Sequence, residues 1–91
     1  MNKTELIDVI ARRTNLPRTE VEEVLGTFID TTKQSLKRGE EVRLSGFGTF
    51  NATIRREHEG RNPVTGETVF VPSTRIVKFR VGKIFRAFLK V

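Results

Sequence analysis

The chain has 91 residues, no cysteine, one histidine and a formal charge of +6. These counts exclude a disulfide scaffold, thiolate chemistry and any metal site built on cysteines or on several histidines. A chain of this length favours a single domain, residues 1–91, with a core small enough that association with a second chain is the usual way to complete it.

The charge is unevenly placed. Residues 1–40 hold seven Lys/Arg and seven Asp/Glu, and residues 41–54 one of each. Residues 55–75 hold four basic and three acidic groups, whereas residues 76–91 hold five basic groups and no acid. The positive field therefore belongs to the C-terminal part of the chain, and an uncompensated cluster of this kind attracts phosphate polyanions, DNA or RNA, through ionic contact and counterion release. No apolar run approaches the ~20 residues that span a bilayer. Met1-Asn2-Lys3-Thr4-Glu5 leads into no signal-peptide core, so a cytoplasmic protein without a membrane partner is expected.

In chain order, Asn2 followed by Glu5 fits a capping box, and Leu6, Ile7, Ile10 and Ala11 form an apolar stripe at helical spacing that should end near Thr14-Asn15. Pro17 with Glu20 marks a new start. Val21, Val24, Leu25, Phe28, Ile29 and Leu36 continue at the 3.6-residue period until Gly39 stops the helix. The face of this second helix is broad enough to meet both the first helix and another subunit, so residues 1–40 are expected to form a helical dimerisation body.

After Gly39 the period changes to two. Glu41-Val42-Arg43-Leu44 predicts a strand, Ser45-Gly46 a tight turn, and Phe47 to Ile54 a second strand with Phe50, Ala52 and Ile54 on one face. Gly46 and Gly48 imply positive φ or close backbone approach, as in a hairpin turn, with phosphate contact by turn amides as the sharper alternative. Residues 55–75 carry turn signals at Asn62-Pro63 and Thr65-Gly66-Glu67 but too few apolar residues for a core, which predicts a projecting basic arm. Val77, Phe79 and Val81 then alternate with Lys78 and Arg80, predicting a strand with one basic face. Gly82 introduces a short terminal helix whose Lys83, Arg86 and Lys90 should face solvent. Residues 41–91 thus comprise sheet, arm and C-terminal helix.

Catalytic motifs are missing. Ser45-Gly46-Phe47-Gly48 lacks both the P-loop and the dinucleotide-binding patterns. His58 lies between Glu57 and Glu59 with no assignable nucleophile, and Glu57, Glu59 and Glu67 on an arm are poorly placed to hold two metal ions. No catalytic residue, no metal ligand and no cofactor is expected.

Gly60-Arg61-Asn62-Pro63-Val64-Thr65-Gly66, Leu44-Ser45-Gly46-Phe47-Gly48-Thr49-Phe50 and Phe79-Arg80-Val81-Gly82-Lys83 together resemble the bacterial HU and integration-host-factor family of DNA-bending proteins. The resemblance spans essentially the whole chain. It implies an α+β fold: an intertwined dimer with an N-terminal helix pair, a three-stranded antiparallel sheet extended into a β-ribbon arm, and a short C-terminal helix. Two such arms would embrace duplex DNA through its minor groove, a mode of binding general to this class. Pro63 would sit at the arm tip and wedge between base pairs. Lys3, Arg55, Arg61, Asn62, Arg80, Lys83 and Arg86 match binding positions, and Arg56, Arg75 and Lys78 complete the candidate DNA-binding set. Val21, Leu25, Phe28, Ile29, Leu36, Leu44, Phe47, Phe50 and Phe79 form the candidate dimer interface.

The implied function is architectural: binding of double-stranded DNA with little sequence specificity, preference for bent, nicked or distorted duplex, and organisation of the nucleoid as a homodimer. A heterodimer with a paralogue, a site-preferring protein of the integration-host-factor type and an RNA-binding or purely structural dimer are the alternatives. Asn51, Ile54, His58 and Glu59 depart from the family's more basic pattern and lower the charge of the arm.

Overall fold

The computed structural model describes all residues from Met1 to Val91. The order of elements is α1 (Lys3–Thr14), α2 (Arg18–Lys37), β1 (Val42–Leu44), β2 (Gly48–Arg55), β3 (His58–Arg61), β4 (Thr68–Val71), β5 (Thr74–Val81) and α3 (Lys83–Phe88). The chain divides into two compact units, Met1–Gln34 and Ser35–Val91.

The helix ends form where the sequence signals place them. Asn2 caps α1, its side-chain oxygen accepting from the Glu5 amide at 2.8 Å, which satisfies one of the orphan donors of the first turn. Asn15 closes the helix in the left-handed region at φ 56°, a conformation asparagine tolerates. Pro17 precedes α2 and its carbonyl accepts from Glu20 and Val21. At the far end, Gly39 adopts φ +81°, with its amide bonded to Leu36 O and the Glu40 amide to Ser35 O. This pair of bonds is the Schellman termination that a glycine permits at least cost. In the N-terminal unit, Ile7 and Val21 are buried and Arg18 pairs with Asp8 at 3.3 Å.

The C-terminal unit holds an antiparallel three-stranded sheet in the order β1-β2-β5 and a separate two-stranded ribbon, β3-β4. Val42 pairs with Phe50 and Leu44 with Gly48, so the Ser45–Phe47 turn closes a short hairpin in which Gly46 takes φ +84°. The β2–β5 ladder runs over eight residues of each strand, from Gly48↔Val81 to Arg55↔Thr74. Phe50 faces Phe79 with ring centroids 4.8 Å apart, and Phe47 lies 5.0 Å from Phe79 and 5.2 Å from Phe85 of α3. These contacts anchor α3 to the hairpin and are reinforced by the Gly82 amide donating to Phe47 O at 2.9 Å. The α+β architecture expected from the sequence is the observed one.

Burial is sparse. Ile7, Val21 and Leu36 are the buried apolar residues, while Phe28, Phe47, Phe79, Ile84, Phe88 and Leu89 stay exposed in the single chain. On α3, therefore, the apolar residues Ile84 and Phe88 face outward along with Lys83 and Arg86, as does Leu89 at its C-cap.

Gly48 shows how tightly the sheet packs at its start. A Cβ there would come within 2.5 Å of the Phe79 ring and 2.6 Å of the Arg80 carbonyl oxygen. Gly48→Ala is expected to lower unfolding stability by about 1–3 kcal/mol, the usual cost of overpacking. Urea denaturation followed by circular dichroism checks this, and unchanged stability would contradict the close approach.

Candidate nucleic-acid interface

Antiparallel pairing sorts side chains into two faces, since alternate residues point to opposite sides of a sheet. Thr49↔Arg80, Asn51↔Lys78, Thr53↔Ile76 and Arg55↔Thr74 share one face of the β2–β5 ladder. Gly48↔Val81, Phe50↔Phe79, Ala52↔Val77 and Ile54↔Arg75 share the other. The register thus brings Arg55, Lys78 and Arg80 onto a common surface opposite the phenylalanines. All three are exposed.

Arg75 falls on the phenylalanine side. Its guanidinium reaches back to the turn after α2, with Nη1 3.3 Å from where a Cβ of Gly39 would stand. A charge count along the chain carries no face, so the sequence alone groups Arg75 with the other arm cations.

Beyond this sheet the arm has a ladder of its own, with Arg61↔Thr68 and Glu59↔Phe70 on one face and His58↔Val71 and Gly60↔Val69 on the other. The tip is closed by Asn62. Its amide donates to Glu67 O and its carbonyl accepts from the Gly66 amide, both at 2.7 Å. Its side-chain oxygen also accepts from the amides of Val64 at 2.9 Å and Thr65 at 3.4 Å. Thr65 Oγ1 accepts from Glu67, and Gly66 completes the reversal at φ +75°. These bonds commit the oxygen of Asn62 to the turn, so the Nδ2 amide is its group available to a ligand. Pro63 and Val64 are held outward, and Val64 is 90% exposed.

Val64 and Phe70, the latter 65% exposed, were absent from the sequence-derived set. The signal available was their position: apolar residues in a segment with no core to enter. Arg56 occupies the stretch between β2 and β3, Lys83 and Arg86 lie exposed on α3, and Lys3 is exposed at the start of α1 in the N-terminal unit.

The three ion pairs in the chain are Arg18–Asp8, Arg38–Glu40 and Arg43–Glu41. None uses a cation of the arm, β5 or α3. Their charge is therefore not neutralised within the chain, which is the condition for displacing counterions from a polyanion. No group of three or more His, Cys, Asp or Glu side chains comes together in a way that could hold a metal ion. No helix is long and apolar enough to cross a membrane.

In the N-terminal unit, Ile10, Leu16, Val21, Val24, Leu25 and Phe28 line an open apolar groove of about 350 Å3. Of the residues expected at a dimer interface, Val21 and Leu36 are already buried within the chain. Leu25, Ile29, Leu44 and Phe50 are half-buried, and Phe28, Phe47 and Phe79 retain substantial exposed area.

The tip geometry makes a direct prediction. Asn62→Ala removes the acceptor for Val64 and Thr65, worth about 1 kcal/mol for a hydrogen bond of this kind. Amide exchange at those two positions should rise about fivefold, while protection along the β2–β5 ladder is unchanged.

Comparison with known proteins gives a consistent answer. Residues 1–90 match the family model described as bacterial DNA-binding protein. The chain is 41% identical over 90 residues to DNA-binding protein HU of Buchnera aphidicola subsp. Acyrthosiphon pisum, covering 99% of this chain and 98% of the relative. It is also 41% identical over 86 residues to integration host factor subunit alpha of Acinetobacter baumannii, covering 94% and 88%. Among solved structures, it is similar to HU in the Anabaena HU–DNA cocrystal structure, with TM-score 0.87, 37% identity and coverage of 98% and 97%. HU from Thermotoga maritima is similar at TM-score 0.71 and 29% identity, with coverage of 99% and 100%. With the fold, the arm and the unpaired cations all in place, the chain belongs to the bacterial HU and integration-host-factor family of histone-like, non-enzymatic DNA-binding proteins.

Proposed function

We propose that the protein is a homodimeric architectural protein of the nucleoid that grips double-stranded DNA with its arms in the minor groove, bends it, and reads little of its sequence. The observation that carries this reading is the pairing of two features: a sheet face of unpaired cations and an arm tip that presents exposed Pro63 and Val64. Cations alone would bind a polyanion, and an apolar tip alone would be an anomaly. Together they match the physics of a duplex bender, in which phosphate contacts position the DNA and a rigid apolar wedge opens a base step.

Within this reading, Lys78, Arg80, Lys83 and Arg86 neutralise phosphates, with Lys3 as a further phosphate contact. Arg55, Arg56 and Arg61 act along the arm. The guanidinium fork suits a narrow groove, where it can reach base edges and sugar oxygens at once. Asn62 contributes its Nδ2 donor and, more importantly, the turn that holds Pro63 forward. We assign Arg75 to supporting the Gly39 turn, because its side chain lies on the opposite face. Phosphate and sugar contacts carry no base identity, and base edges in the minor groove separate little more than A·T from G·C, which supports general over site-preferring binding.

A second copy of the chain is the partner that the burial pattern supports. Three buried apolar side chains are too few to hold a chain of this length, and each unit by itself leaves apolar surface for a partner to cover: the groove beside Phe28 in the N-terminal unit, and exposed Phe47 and Phe79 in the C-terminal unit. Sedimentation at micromolar concentration should give twice the 10.4 kDa chain mass. A soluble, folded monomer would remove the basis for a paired grip.

Bending is tested at Pro63. Its ring is rigid and apolar, and unstacking one base step costs a few kcal/mol that the wrapped duplex must return. Pro63→Ala should leave thermal stability nearly unchanged and reduce end-to-end fluorescence transfer on a short duplex at saturating protein. Affinity should fall more on intact than on nicked DNA, because a nick supplies deformation the protein otherwise drives. Equal losses on both, with an unaltered bend, would reduce Pro63 to a turn residue.

A further inference from the structure

The one aromatic residue of the arm has no core to enter. Phe70 is 65% exposed on β4, and it belongs to none of the ring contacts among Phe47, Phe50, Phe79 and Phe85 that anchor the sheet. The arm's own packing does not account for it. On the opposite side of the β3–β4 ribbon the valines close over Gly60, where a Cβ would stand 3.3 Å from Val71 Cγ2 and 3.8 Å from Val69 Cγ2. His58, Gly60 and Val71 are half-buried there. On the side of Phe70, by contrast, Glu59 directly across and the neighbouring pair Arg61↔Thr68 are all exposed.

The register of the hairpin extends this side towards the sheet. Arg55↔Thr74 ends the β2–β5 ladder and His58↔Val71 begins the β3–β4 ladder. Residues 56–57 and 72–73 between them form a joint outside both ladders, where Pro72 has no N–H to donate, but neither strand gains a residue. The two-residue period carries through the joint, so Arg55, Glu57, Glu59 and Arg61 follow one another on the side that holds Phe70. The formal charges of these four, two basic and two acidic, sum to zero. Ionic contact alone therefore gives this stretch of the arm little net pull on phosphate, in contrast to the acid-free β5 and α3.

We propose that Phe70 is a DNA-binding residue that lays its ring against the deoxyribose wall of the minor groove and gives the arm an apolar, salt-independent hold. The inference rests on the minor-groove reading above and adds a residue to it. A ribbon lying in a groove about 6 Å wide meets the walls of the groove as well as its floor. Those walls are sugars, whose C–H edges are apolar and recur at every base pair, so the contact suits binding that reads little sequence. Its free energy comes from apolar area removed from water and releases no counterion, unlike the contacts of Arg55 and Arg61. Pro63 opens a base step at the tip, whereas Phe70 holds the strand along the groove. The contact forms in the bound arm and asks nothing of the arm's motion in the free protein.

Two variants separate an apolar contact from an aromatic or a structural one. Phe70→Thr removes the ring and keeps a residue that favours strands, and Phe70→Leu keeps apolar bulk without aromaticity. Phe70 is exposed, so both should melt as the parent does. The affinity of the full chain for one short duplex is measured across a salt series, with a minor-groove polyamide as competitor. Intermolecular nuclear Overhauser contacts are recorded in the saturated complex of ring-labelled protein, the Phe70 signals being those missing in Phe70→Thr.

Phe70→Thr should bind about tenfold more weakly at every salt concentration, the scale of burying about half of a phenylalanine side chain, on a line parallel to the parent's. Phe70→Leu should keep most of the parent affinity, and the Phe70 ring should show contacts to deoxyribose protons. The proposal is overturned if Phe70→Thr binds as the parent does, if its salt slope changes, if Phe70→Leu loses as much, or if the ring shows no sugar contact. Should the polyamide fail to displace the parent, the minor-groove reading itself falls and the contact with it. Displacement of the parent together with parental affinity in Phe70→Thr strikes the Phe70 contact alone.

Discussion

The antiparallel ladder between β2 and β5 is the constraint on which the rest of the C-terminal unit depends. Once Phe50 pairs with Phe79, the two-residue period assigns every other side chain on both strands to a face. Phenylalanines and Val77 go to one side, and Arg55, Lys78 and Arg80 to the other. A slip of one residue would place the cations among the aromatic rings and the rings in water, which desolvation of charge makes prohibitive. Charge sorting is thus a consequence of apolar packing. The same register continues into the β3–β4 ribbon, so the sheet and the arm tip are successive stretches of one hairpin with a joint between them.

A second constraint follows from size. The chain places many apolar side chains on its surface and buries Ile7, Val21 and Leu36. Large exposed apolar area on a small chain is the usual mark of an interface, and apart from Val64, Val69 and Phe70 of the arm most of the residues concerned lie on the helices and on the phenylalanine side of the sheet. Under the proposed function, association and DNA binding would draw on different faces of the β2–β5 ladder, with a partner copy held through aromatic contacts and the cations left free for phosphate.

Much of this was legible in the sequence because local chemistry decides it. Asn2, Asn15 and Gly39 end the helices for reasons of capping and left-handed backbone that tertiary contacts do not override. The change of period after Gly39 identified the strands, and the alternation of Val77, Phe79 and Val81 with Lys78 and Arg80 gave the basic face correctly. Three features were not legible. The placement of Arg75 depends on pairing with Ile54, which a charge count along the chain lacks. Asn62 looked like a ligand contact, but its oxygen is spent on the turn amides of Val64 and Thr65. The joint at residues 56–57 and 72–73 requires knowing that Glu57 lies across from Pro72, a long-range fact that appears only once the register is set. Gly46 and Gly48 resolve into one case of each expectation, positive φ at the first and close approach at the second.

The claim that the ladder sorts the cations is tested most directly by the salt dependence of duplex binding in two single-site variants. Arg80→Ala removes a cation from the face opposite the phenylalanines, and Arg75→Ala removes one from the face that carries them. The slope of log affinity against log salt should fall in magnitude by about 0.9 for Arg80→Ala, the value for one phosphate contact on duplex DNA, and remain at the parent value for Arg75→Ala. Equal reductions for the two variants, or a larger one for Arg75→Ala, would contradict the account.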